Sequence, residues 1–145
     1  MKPAYVSAND VERDRLHALL ARLSDEDLAR ILPNGLTVAN VLVHLAFWDE
    51  YTRSCLRQWQ EAGFWVSQTN FEALNAAVLV LAAAIPNRTA VDMLRDAADA
   101  VDSEAQSVPP ELAEVIQSNG KVRSLERAQH RREHLDQIEG VLCSR

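Results

Sequence analysis

Between Thr37 and Gly63 the chain contains neither glycine nor proline, a run of about seven turns if helical. Thr37 has the side chain to cap such a helix, and Gly63 is suited to end it. Stepping about 100° per residue puts Val41, His44, Leu45, Trp48, Thr52, Cys55, Leu56 and Trp59 on one side. Glu50, Arg53, Arg57 and Glu61 fall on the other. A helix this long with one apolar side must bury it against other elements, so the chain is constrained to a helical packing. His44 points inward with that side. It reads either as a core histidine with satisfied ring nitrogens or as a ligand facing an enclosed space, with Trp48 walling that space one turn on.

The flanking segments repeat the pattern. A helix is expected from Ser7, capped by Ser7 or Asn9, with Val11, Leu16, Leu19, Leu20 and Leu23 as its apolar stripe and His17 on the surface beside it. A short helix starts at Ser24, and Pro33-Asn34-Gly35 stops it. After the aromatic loop Phe64-Trp65-Val66, an alanine- and leucine-rich helix runs from Asn70 to Ala84 and ends before Pro86. The next begins at Asn87 or Thr89. Leu94, Ala97, Ala98, Val101 and Ala105 form its inner side; Asp92, Arg95, Asp96, Asp99 and Asp102 form a solvated acidic face. Pro109-Pro110 ends it, a short amphipathic piece reaches Ile116, and Ser118-Asn119-Gly120 is a turn.

The last helix is expected from Ser124 to Leu142, with Leu125, Ala128, Leu135, Ile138 and Leu142 as its apolar arc. His130 and His134 lie at the edge of that arc, four residues apart and therefore on one face. Arg127 and Arg131 project toward the apolar side as well, which is unusual for a closed core. Two imidazoles at this spacing can converge on one ion, although a histidine pair in a charged helix is more often solvated. His44 supplies a third imidazole if its helix packs beside the last one. Three nitrogen ligands leave a coordination position open, as catalytic rather than structural sites do.

Length and charge narrow the function. With 145 residues the chain is one domain, residues 1–145, and a net charge of −6 with no basic patch argues against nucleic acid. No apolar run is long enough for a membrane span or a signal peptide, and the two cysteines, Cys55 and Cys143, make no disulfide framework. A cytoplasmic protein is expected. Cys55 shares the face of His44 but lies about 16 Å further along the helix, so it reads as core rather than as a fourth ligand. Exposed aromatics in the 64–66 loop suggest a homodimer or a fold-back over the open end of the bundle.

The segments Thr37-Val38-Ala39-Asn40-Val41-Leu42-Val43-His44-Leu45-Ala46-Phe47-Trp48-Asp49 and Arg127-Ala128-Gln129-His130-Arg131-Arg132-Glu133-His134-Leu135-Asp136-Gln137-Ile138 resemble the DinB/YfiT-like superfamily of metal-dependent four-helix bundles. Family members carry one histidine at the first place and an HxxxH pair at the second, and the likeness covers nearly the whole chain. Asn75 resembles an asparagine recurrent in one branch. The resemblance implies an all-α, up-down four-helix bundle with a short additional helix. It also implies a site of His44, His130 and His134 holding a divalent ion such as nickel or zinc. Relatives include transferases and isomerases using low-molecular-weight thiols, hydrolases, toxin-resistance proteins and members without known activity.

Two functional readings follow from these residues. In the first, the protein is a metal-dependent enzyme, a thiol-dependent transferase or a hydrolase of a small molecule. Trp48 and Asn75 then line the pocket, and Arg127 or Arg131 receives an anionic group. Asn40, Asp49, Glu126 and Glu133 are weaker candidates to orient the ligand rings. In the second, the bundle binds a metal or a small molecule without catalysis, as a stress or toxin-resistance protein.

Overall fold

A computed structural model describes residues 1–144. The described residues are all-α: eight helices and no strand, with one isolated bridge between Ile31 and Thr37. In chain order they are α1 (Ala4–Arg22), α2 (Asp25–Ala29), α3 (Val38–Ala62), α4 (Phe71–Ala82), α5 (Asn87–Ser107), α6 (Pro110–Ser118), α7 (Val122–Leu125) and α8 (Ala128–Leu142). None of them is long and apolar enough to cross a membrane.

Local chemistry explains most boundaries. Ser24 with Asp27, and Thr37 with Asn40, form reciprocal capping boxes at the starts of α2 and α3. Asn70 accepts the Ala73 N–H at 3.0 Å to start α4. Gly63 ends α3 with a φ of 89°, a left-handed conformation that a side chain would strain. Two boundaries differ from expectation. Helix α1 starts at Ala4, after Pro3, so neither Ser7 nor Asn9 caps it, and Val11 is exposed. The last helix is interrupted at Glu126 and Arg127, which separate α7 from α8.

Helix α3 packs chiefly on α5, α1 lies against α5 and α8, and α3 also meets α4 and α8. Their buried side chains form two apolar clusters. One contains Leu16, Leu19 and Leu20 of α1, Val41, Leu42 and Leu45 of α3, Leu94 and Ala98 of α5, and Leu135 and Ile138 of α8. The other contains Tyr5 and Val6, Leu56 and Trp59, Ala105 and Val108, Ile116 and Leu125. Each buried leucine contributes roughly 1.5–3 kcal/mol, so these clusters dominate the stabilisation. Their composition also gives the sense of the helices. Along α3 and α5 the chain passes from the first cluster to the second, and along α1 it passes from the second to the first.

Between the clusters lies a buried polar layer of Asn9, Glu12, Asp49, Thr52, Asp102, Arg127 and Arg131. Arg131 is fully buried and gives two hydrogen bonds to Asp102, at 2.8 and 2.7 Å, and a longer one to Asp49 at 3.4 Å. Arg127 binds the other oxygen of Asp49 at 2.9 Å, and Arg13 reaches Asp102 at 2.9 Å. Desolvation offsets much of the attraction in such a layer, so its main effect is to fix α8 in register against α3 and α5. This corrects two expectations. Asp102 is not on a solvated face, and Arg131 is a structural ion-pair partner rather than a receiver for substrate.

Candidate metal centre

Residue 44 lies six residues after the α3 N-terminus, on the side that faces α8. The polar layer fixes the start of α8 opposite it. Asn9 of α1 accepts the backbone N–H groups of Arg127 and Ala128 at 2.8 and 3.0 Å, and its amide donates to the Leu125 carbonyl at 2.8 Å. A side chain from a distant helix thus caps α8, which has no local cap of its own. The first turns of α8 then present His130 and His134 to His44.

The three rings meet. Ring centroids are 5.4 Å apart for His44 and His130, 4.9 Å for His44 and His134, and 5.0 Å for His130 and His134. One nitrogen from each ring lies within 4.8 Å of the others, and the three residues form a group able to hold a metal ion. Bonds near 2.1 Å require nitrogens about 3.0–3.4 Å apart, so the rings would draw closer around an ion than the 4.8 Å within which they lie here.

Hydrogen bonds orient two of the rings. His134 Nδ1 lies 3.1 Å from Gln137 Oε1. A carbonyl oxygen only accepts, so the proton belongs on Nδ1 and Nε2 keeps its lone pair for a ligand. Arg127 Nη2 lies 3.2 Å from His130 Nδ1, and a guanidinium only donates, so there Nδ1 accepts and a neutral ring carries its proton on Nε2. To hold an ion as a neutral ring, His130 would present the nitrogen that lacks its proton, which requires the ring to turn from Arg127.

All three rings are held in the neutral form that ligates metal. Burial, with a smaller contribution from His134, pushes His44 down to about 4. Burial and then the Arg127 charge push His130 down to about 2. Burial lowers His134 as well, with the Gln137 contact and Glu133 partly opposing it. The donor set therefore fits a borderline divalent ion: three uncharged imidazoles, half-buried and convergent. His17 is elsewhere, with its Nε2 2.8 Å from Asp99 on α5.

The histidines line a cavity of about 650 Å³. Trp48 and Asn75 line it together, the indole N–H donating to Asn75 Oδ1 at 2.7 Å, and Arg127 lines it as well. Arg131 does not. Cys55, expected to be core, is only half-buried and reaches the same cavity. Trp65 and Val66 of the aromatic loop form part of its wall, and the Trp65 carbonyl accepts the Trp59 indole N–H at 2.8 Å. Among the weaker candidates, Asn40 belongs to the α3 cap and Asp49 to the arginine layer. Glu133 sits at the cavity edge, bonded to Arg123 and Gln129, and Glu126 follows α7 as its C-cap. Sequence reasoning missed Tyr51 and Lys121, which line the cavity, and Gln137 behind His134. Only Gln137 left a signal, its i,i+3 spacing from His134. No family model, no curated protein and no solved structure matches the chain.

Proposed function

We propose that this protein is a divalent-metal-dependent enzyme acting on a small molecule, built as a DinB/YfiT-like bundle of α1, α3, α5 and α8. One observation carries the reading: three convergent neutral imidazoles open onto a cavity large enough for a small-molecule substrate. The sequence resemblance supports it, because the same three histidines match the pattern of that superfamily. His44, His130 and His134 are the residues that hold the ion, nickel or zinc in our reading. When bound, the ion supplies Lewis acidity at the cavity floor.

The surrounding residues have separate tasks. Gln137 holds the His134 ring with its Nε2 lone pair available. Asp49 anchors Arg127, which lines the cavity. Trp48, fixed by Asn75, walls the space. In this reading the reaction is transfer to or from a low-molecular-weight thiol, or hydrolysis.

One observation favours the second reading, a metal-dependent binder without catalysis. Among the described residues the single carboxylate lining the cavity, Glu133, is already engaged by Arg123 and Gln129, so no free carboxylate base stands beside the histidines. The deciding experiment is a panel of thiol-transfer and ester- or amide-hydrolysis assays on nickel-loaded, zinc-loaded and chelator-stripped protein. Turnover that disappears with the metal supports the enzyme. Stoichiometric metal binding with no turnover supports the binder, and absence of metal binding overturns both.

A further inference from the structure

The cavity mouth has a charge opposite to that of the chain. The protein carries −6 overall, yet among the described residues the charged ones lining the cavity are Lys121, Arg123 and Arg127 against Glu133 alone. All three cations come from the short stretch after Gly120 that leads through α7 into α8. Two of them are committed elsewhere: Arg127 to the buried Asp49 at 2.9 Å, and Arg123 to Glu133 at 3.3 Å. Lys121 is half-buried and makes no ion pair among the described residues, and its backbone N–H is bonded to Ile116 of the apolar cluster against which Cys55 packs. Its charge there is uncompensated.

Cys55 is eleven residues from His44 on α3, about 16 Å of helix. The lysine and the histidines therefore mark two ends of an elongated space. Between them the walls are aromatic: Trp48, Tyr51, Trp59, Trp65 and Phe71. The indole N–H groups of Trp48 and Trp59 are already donated to Asn75 and to the Trp65 carbonyl, so these rings offer the ligand apolar surface rather than hydrogen bonds.

We propose that the cavity takes an elongated small molecule with an aromatic or alicyclic body and one anionic group, the anion seated on Lys121 and the far end directed at the histidines. This deepens the function proposed above and rests on taking the space over the histidines as the substrate site. Burying an anion away from water needs a cation partner, and Lys121 is the group placed to provide one. An uncharged or cationic molecule of the same shape would leave Lys121 unpaired or repelled.

The test uses 4-biphenylcarboxylate, the neutral 4-biphenylcarboxamide and the cationic 4-phenylbenzylamine on chelator-stripped protein, where no ion can bind the carboxylate. Tryptophan fluorescence or calorimetry gives the affinities. We expect the carboxylate to bind at least tenfold more tightly than the amide, and the amine to bind most weakly. In Lys121→Gln the carboxylate preference should fall below threefold while the amide affinity stays unchanged. Equal affinities in the wild-type protein, or a carboxylate preference that survives Lys121→Gln, overturn the proposal, as does carboxylate binding seen only after metal loading. The wild-type ligand series needs no variant, so a poorly folded Lys121→Gln leaves the test intact. Nickel titration of the same samples separates the two claims. Metal binding without carboxylate preference overturns only the ligand class, and the reverse result overturns only the metal centre.

Discussion

The side-chain oxygen of Asn9 lies 2.8 Å from the backbone nitrogen of Arg127, although the two residues are 118 positions apart. It accepts the Ala128 N–H too, so a residue inside α1 supplies the cap that α8 lacks locally. The turn bearing His130 is thereby tied to the opposite side of the molecule.

Replacing Asn9 by alanine strands two buried N–H groups and the Leu125 carbonyl. The expected loss is at least about 3 kcal/mol, since each unsatisfied buried group costs about 1–3 kcal/mol. Urea unfolding measures it directly. A loss below about 0.5 kcal/mol, the size of an ordinary surface change, would mean that α8 is not capped in this way.

The buried guanidinium makes a second prediction. Arg131→Met leaves Asp102 and Asp49 with fewer partners inside the core, and breaking a buried pair of this kind typically costs about 3–5 kcal/mol. Arg132→Met removes a half-exposed partner of Glu12 and should cost no more than about 1 kcal/mol. Denaturant midpoints of the two variants give the comparison. Equal losses would contradict the assignment of Arg131 to the structural layer.

These two residues also mark the limit of what the sequence discloses. Helical period alone turns His44 inward and sets His130 and His134 at the edge of an apolar arc, and side-chain chemistry at Thr37 locates the start of α3. Those signals are local. The role of Asn9 is not, because an asparagine inside a helix looks the same whether it meets water or a distant helix end. Asp102 and Arg131 mislead for a related reason: charges at helical spacing resemble a solvated face until their partners on other helices are known. Cys55 was legible as inward-facing, but whether inward meant core or cavity depended on the loop carrying Trp65.

A pH dependence follows from the depressed histidines. His44 falls from an ordinary value of 6.5 to about 4, so between those values the unfolded chain binds a proton that the folded chain does not. Folding stability of the metal-free protein is therefore complete above about pH 6.5 and declines as pH falls toward 4, with His130 and His134 shifted in the same direction. His44→Gln should flatten that decline in thermal melts recorded across the interval. An unchanged slope in the variant would show that His44 is not buried as a neutral ring.

The most direct measurement compares the metal content and melting temperature of His134→Ala with those of His17→Ala, using protein purified without an affinity tag, loaded with nickel or zinc and dialysed. If His44, His130 and His134 hold one ion, His17→Ala retains about one equivalent per chain, because His17 lies beside Asp99 and outside the trio. His134→Ala should lose most of the metal, together with the rise in melting temperature that metal gives the wild type. Chelator should lower the wild-type melting temperature and leave that of His134→Ala unchanged. Equal metal content in the two variants would contradict the three-histidine centre.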